Sequence, residues 1–280
     1  MDNEPGAGPS IGAAGSRAAW HLVRMGFHRT DDGPLAVLTL EHGDLNLFDR
    51  AVFDSLSEAA RALSANPPRA LLIQARGRVV SGGVDVHEFD GLTPEAGATL
   101  WRELLDIVRA IEDLPCPTVF AAHGLCLTAA FELSLACDLL VAAASARFGL
   151  VEIVVGLTPS MGGPQRLAER AGAARAKELV YTGDLFDAAT LERWNVVNRV
   201  WPDDEFADQA LALAVRLATG PTRAHAATKQ LVRAAVEDGA RSADALVPGV
   251  SGPLFATEDL RGAVASFLRD GPGRASYRGR

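Results

Sequence analysis

The stretch from Pro115 to Gly163 constrains this chain more than any other. It is almost wholly apolar or small-residue in character. Yet it holds two glutamates, Glu132 in Ala-Ala-Phe-Glu-Leu-Ser-Leu-Ala and Glu152 in Gly-Leu-Val-Glu-Ile-Val-Val. Thr118–Ala122 reads as a strand, His123-Gly124 as a turn, Thr128-Ala129-Ala130 as the start of a helix, and Leu139–Ala143 as a second strand. Acids are almost never fully buried without a partner or a task. Two readings of the pair stay open. Either each acid is satisfied by backbone N–H groups or by Arg147, or burial and mutual repulsion raise their pKa values for acid–base chemistry near neutral pH.

Around that stretch the pattern alternates between strand and helix. Trp20–Phe27 and Pro34–Glu41 read as two strands joined by a turn at Thr30-Asp31-Asp32-Gly33. Asp49 is placed to cap a helix running to Ala65, which Asn66-Pro67-Pro68 ends. Ala70–Ala75 is a short, continuously apolar run, as expected of a strand covered on both faces. A glycine-containing loop, Arg76–His87, follows, and then a long amphipathic helix from Pro94 to Leu114. This order predicts right-handed βαβ units around a mostly parallel sheet. After Gly163 the helices dominate: Gln165–Ala171, Ala173–Thr182, Ala188–Trp194, Asp203–Thr219, Thr222–Asp238 and Thr257–Leu268, with one short strand at Val196–Trp201. The reading divides the chain into a disordered tail (1–19), an α/β core (20–200) and a helical C-terminal segment (201–280).

Charge and cysteine usage exclude several classes. The net charge of −8 and the acidic pI near 5.3 leave no basic footprint for nucleic acid or for an anionic membrane surface. No apolar run is long enough to span a bilayer, and the tail lacks the basic and apolar regions of a secretory signal. Cys116, Cys126 and Cys137 are odd in number and sit in apolar runs. They predict free thiols in a reducing, cytoplasmic setting, and their spacing fits no zinc site.

Familiar catalytic motifs also fail. The loop after the strand at Ala70–Ala75 has Gly83 and Val84 where a P-loop needs Lys and Ser or Thr. Neither G-x-G-x-x-G nor G-x-S-x-G occurs. What remains is a turn, Gly82-Gly83-Val84-Asp85, and a helix start, Thr128-Ala129-Ala130. Each leaves backbone N–H groups free, and two such groups aimed at one point would form an oxyanion hole. The alternative is an ordinary tight turn and an ordinary helix.

Taken together, several stretches resemble one family. In order they are Ser-Gly-Gly-Val-Asp, Pro-Thr-Val-Phe-Ala-Ala-His-Gly, Phe-Glu-Leu-Ser-Leu-Ala-Cys-Asp, Ala-Arg-Phe-Gly-Leu-Val-Glu and Gly-Leu-Thr-Pro-Ser-Met-Gly-Gly-Pro-Gln-Arg-Leu. They are similar to the enoyl-CoA hydratase/isomerase branch of the crotonase superfamily. The resemblance implies an α/β fold with a spiral core of ββα units and a helical C-terminal trimerisation region, assembled as a homotrimer or homohexamer. It implies an acyl-CoA thioester substrate and no cofactor beyond the coenzyme A of that substrate. By the same resemblance, Glu132 and Glu152 match the two catalytic glutamates of the hydratases, and Val84 and Ala129 would give the oxyanion N–H groups. Gly82, Gly83 and Asp85 complete the turn that matches the family's Ala-Gly-Ala-Asp. Where the family usually has glycines, this chain has Thr128-Ala129-Ala130. Lys229, Arg274 and Tyr277 are counterparts of the family's CoA contacts, and Phe89, Leu92 and Trp101 are candidates for the acyl pocket. Keeping both glutamates favours hydration over isomerisation or another crotonase reaction. A catalytically silent acyl-CoA-binding subunit is the alternative from outside the enzymes.

Overall fold

A computed structural model describes residues 26–280. It opens on a hairpin of β1 (Gly26–Asp32) and β2 (Leu35–Glu41). The turn is tighter than the sequence suggests. Asp32 pairs with Leu35, so Gly33-Pro34 alone makes the reversal, and Thr30–Asp32 stay in the ladder. Gly33 takes φ +58°, a conformation open to glycine, which makes so short a connection possible. The expected strand at Trp20–Phe27 lies outside the described residues as far as its first six positions.

Helix α1 (Arg50–Ala65) is capped by Asp49, whose carboxylate accepts the Val52 N–H, as expected. Strand β3 (Ala70–Ala75) then pairs parallel to β2. Helix α2 (Pro94–Glu112) is capped by Thr93 and leads to β4 (Thr118–Ala122). The sheet grows with β6 (Leu139–Ala143) and β9 (Arg199–Trp201), giving the order β1-β2-β3-β4-β6-β9, parallel except at β1. Between β4 and β9 lie β5 (Leu125–Leu127), α3 (Ala129–Ala136), β7 (Arg147–Gly149), α4 (Gly163–Ala171), α5 (Ala173–Thr182), β8 (Phe186–Asp187) and α6 (Ala188–Arg193). Strands β5, β7 and β8 form a second, small sheet.

The alternation of side chains along the strands sorts the core into two layers. Leu71, Ile73, Phe120, Ala122, Leu140 and Ala142 face α1, α2 and α3. Leu72, Val119, Ala121, Val141 and Ala143 face α7 (Asp203–Ala218), which buries Phe206, Leu213 and Ala214 against them. The sheet is therefore covered on both sides, as the apolar run at Ala70–Ala75 demanded. Three helices complete the chain: α8 (Thr222–Asp238), α9 (Ala240–Ser251) and α10 (Glu258–Asp270). Helix α9 has no counterpart in the sequence reading, because Pro248 and Gly249 inside it look like loop punctuation.

Candidate active site

Beyond the carboxyl end of β3 the chain makes the turn Ser81-Gly82-Gly83-Val84. Buried Ser81 organises it. Its hydroxyl donates to the Asn46 carbonyl at 2.7 Å and accepts the Gly83 N–H at 3.0 Å. The Gly82 N–H goes to the Leu45 carbonyl, and Phe48 pairs with the backbone on both sides of Val84, through the Gly83 carbonyl and the Asp85 N–H. That pattern skips the Val84 N–H, which has no protein acceptor among the described residues. Gly83 sits at φ +117°, and a Cβ there would come within 3.1 Å of the Thr128 Oγ1. This is a close approach that glycine permits.

Opposite this turn, α3 begins. Every residue of α3 is buried, including Glu132 at 2% exposure. Glu132 Oε1 accepts two backbone N–H groups, from Met161 and Gly163, each at 2.8 Å. These lie at the start of α4, where free N–H groups and the helix dipole favour an anion. Burial pushes the Glu132 pKa up to about 7, while the Gly163 and Met161 N–H groups pull it back down. Gly163 is required here: an added Cβ would lie 2.8 Å from Glu132 Cγ.

Glu152 begins a short 3-10 turn, Glu152–Val155. Its Oε2 is buried and has no hydrogen-bond partner among the described residues. Burial, and next the charge of Glu132, push its pKa up to about 8. The two acids therefore sit in different settings, Glu132 held by two backbone donors from another element and Glu152 with one oxygen unpartnered. Arg147, the partner the sequence allowed for, instead donates to the Ser145 and Ala146 carbonyls.

Both glutamates, together with Gly82, Gly83 and Val84, line one cavity of about 240 Å³. Phe89 and Trp101 form part of its wall, as the sequence suggested, with ring centroids 5.6 Å apart. At the start of α3, Thr128 lines the wall and its neighbour Ala129 is fully buried. Other predicted residues lie elsewhere. Asp85 turns its carboxylate to the His87 N–H and Nδ1 at the rim. Leu92 lies in a separate surface depression with Arg50 and Glu103.

The expected CoA contacts near the C-terminus are not brought to this cavity within one chain. Lys229 Nζ bonds Asp138 at 3.0 Å and the Cys116 carbonyl at 3.4 Å, just before β6 and β4 begin. The Tyr277 carbonyl accepts from Arg69, just before β3. Both thus lie at the amino edge of the sheet, whereas the cavity lies beyond its carboxyl edge. Exposed Arg274 is in the same returning segment as Tyr277. That segment is tied to α10 by the Arg278 and Gly279 N–H groups on Asp259, a long-range contact invisible to local pattern. Sequence reasoning also missed Ser81, Asn46, Met161 and Gly163. The Gly162-Gly163-Pro164 helix start was the available signal for the last of these.

The parallel sheet with flanking helices, and a cavity at its carboxyl edge holding two perturbed carboxylates, define an α/β protein with a site built for acid–base work. Comparison with known proteins sharpens this. The enoyl-CoA hydratase/isomerase family model matches residues 31–272. A Mycobacterium tuberculosis protein named "Probable enoyl-CoA hydratase echA8" is 32% identical over 245 residues, covering 85% of this chain and 92% of that protein. A Rhizobium meliloti protein named "Probable enoyl-CoA hydratase" is 30% identical over 242 residues, covering 84% and 92%. The crystal structure of an enoyl-CoA hydratase from Polaromonas sp. JS666 superposes with a TM-score of 0.83 at 28% identity, covering 90% of this chain and 100% of that one. The chain belongs to the enoyl-CoA hydratase/isomerase family and has the crotonase fold.

Proposed function

We propose that this protein is an enoyl-CoA hydratase that adds water across the C2=C3 double bond of a 2-enoyl-CoA thioester. The observation that carries the reading is the asymmetric pair of buried glutamates facing one cavity. Two backbone donors on Glu132 favour its ionised form, so Glu132 acts as the base. Glu152 Oε2 has no donor among the described residues, and the carboxyl carries the repulsion of Glu132, so it keeps its proton and acts as the acid. Environments that push two pKa values apart assign the two roles.

In the reaction, Glu132 takes a proton from water as the hydroxide oxygen bonds to C3. The π electrons of the enoyl group shift toward the thioester oxygen, which the Val84 N–H and the positive end of α3 stabilise. C2 then takes the proton of Glu152. The product is a 3-hydroxyacyl-CoA. Glu132 is left protonated and Glu152 ionised, and solvent exchange resets the pair. A positioned acid or base contributes about 10²–10⁴-fold, and an oxyanion donor about 10²–10³-fold.

Coenzyme A enters as part of the substrate, and no other cofactor is assigned. Assembly as a homotrimer or homohexamer is part of the same proposal. It is supported by exposed apolar side chains on the last three helices, among them Val232, Val236, Val264, Phe267 and Leu268. The three cysteines are unpaired and buried, which favours a reducing compartment such as the cytoplasm.

Incubating crotonyl-CoA with the protein in ¹⁸O-labelled water tests the reaction. The expected product is heavier by one labelled water. Conversion of a 3-enoyl-CoA to a 2-enoyl-CoA without label would assign an isomerase instead, and binding without turnover would assign a silent subunit.

A further inference from the structure

One ion pair behind the cavity has each member at the end of its helix where the dipole disfavours its charge. Glu112 is the last residue of α2, at the negative end. Arg166, after Gly163, Pro164 and Gln165, closes the first turn of α4, at the positive end. Local preference would place neither there. The two offset each other through a fork: Arg166 Nε donates to Glu112 Oε1 at 2.8 Å, and Nη2 donates to Oε2. The Arg166 side chain is 13% exposed, so the pair is partly withdrawn from water and held in one geometry.

What the fork holds is the loop that serves Glu132. The remaining guanidinium nitrogen, Nη1, donates to the Gly162 carbonyl at 3.3 Å. An added Cβ on Gly162 would lie 2.0 Å from Nη1 and 3.6 Å from Leu105 of α2, so loop, guanidinium and α2 pack without slack. Gly162 lies between Met161 and Gly163, whose N–H groups Glu132 Oε1 accepts. A contiguous chain of contacts therefore runs from Glu112 through Arg166 and Gly162 to Glu132.

The charged groups that face Glu132 are few. Glu152 repels it, and Arg166 favours its ionised form. Glu112 is paired with Arg166, and Arg170 is bonded at the far end of α3. The thiols of Cys126 on β5 and Cys137 are neutral, because burial pushes their pKa values up. The other charged side chains of α2 and α4 are exposed.

We propose that Arg166, anchored by Glu112, is a positioning residue for hydration: it holds the Met161 and Gly163 N–H groups against Glu132 in the geometry that the base requires. This rests on the hydratase reading, in which Glu132 is the base. Without the guanidinium, the Gly162 carbonyl is released, the loop turns its N–H groups away, and Glu132 loses two donors and a nearby positive charge together. It then stays protonated at a pH where the wild type is ionised.

Three substitutions test this. Arg166→Met keeps the length of the stem without charge or donors, Arg166→Gln keeps a donor for Glu112 without the charge, and Arg166→Lys keeps the charge. One readout is kcat/KM for crotonyl-CoA hydration against pH, whose acidic limb reports protonation of the base. The other is the ¹³C resonance of the Glu132 carboxyl, assigned by its loss in Glu132→Gln. Both charge-removing substitutions are expected to move limb and resonance midpoint to higher pH by about one unit, with roughly tenfold loss of kcat/KM on the acidic limb. KM should change little, because Arg166 does not line the cavity. Arg166→Lys is expected to restore the wild-type position of both. Circular dichroism establishes that each variant is folded. A limb and midpoint that stay in place, with any loss of rate uniform across pH, would make Arg166 structural only and overturn the proposal. A midpoint that moves while the wild type shows no turnover would overturn the hydratase reading and leave the hold of Arg166 on Glu132 intact.

Discussion

Glu132 and Glu152 are the same residue in the same cavity, and their different surroundings separate them. Because both pKa values lie above the ordinary carboxylate value, at about 7 and about 8, kcat/KM should follow a bell. It should fall below the lower value as the base is protonated, and fall above the higher one as the acid ionises. Stability follows with a definite sign. Between the ordinary carboxylate pKa and the raised values, the folded state holds protons that the unfolded state has released, so stability falls as pH rises through that window. Thermal midpoints measured from pH 5 to 9 should decline for the wild type and decline less for Glu152→Gln. Gly163→Ala is expected to displace Glu132 and destabilise the fold by roughly 1–3 kcal/mol, read by urea unfolding. Thr128→Gly should raise the unfolding midpoint, since it removes both the positive-φ strain (φ +47°) and a buried hydroxyl with no partner among the described residues. At this scale the two acids and the Gly82-Gly83-Val84 turn were legible, because acids in an apolar run and free N–H groups are local features. The place of Thr128 on the cavity wall was not, because it depends on which way one strained residue faces.

Helix α3 joins the two halves of the site, and the Arg170 side chain holds its far end. Arg170, from α4, donates to the carbonyls of Leu135 and Cys137 and to that of Val196. It satisfies carbonyls that the end of α3 leaves free, and it places positive charge at the negative end of the dipole. Burial lowers its pKa, yet it remains the charged donor for three acceptors. Arg170→Met should cost about 3 kcal/mol by leaving these carbonyls unpaired, with a larger loss of hydration than of ligand affinity as α3 loosens. Full burial of α3 also explains how sequence reading met it. A helix that is apolar all round has no stripe to betray its period, so only its small-residue start was visible. Strands β5, β7 and β8 escaped for another reason: each is too short to show alternation.

Across the whole chain, the alternation of strands and helices was enough to foresee a parallel sheet, because a strand apolar on both faces must be covered twice. The last three helices tell a different story. Their exposed apolar residues have no partner among the described residues, as with Val236 at 57%, Phe267 at 59% and Leu268 at 80%. Exposed apolar patches favour association, which supports the proposed trimer or hexamer. Light scattering should give a mass of three or six chains, and a paired Val236→Asp, Phe267→Asp variant should lower it. A monomeric wild type would contradict that part of the account. The return of the C-terminal segment onto Asp259 and Arg69 moved Tyr277 away from the site in a way that no local pattern could reveal.

The most direct test is the ultraviolet absorbance of crotonyl-CoA followed beside wild type, Glu132→Gln and Glu152→Gln. The account predicts that the conjugated-enoyl band disappears with wild type. Each variant should be slower by at least about 10²-fold while still binding the ester. Full activity in either variant would contradict the division of roles between the two glutamates.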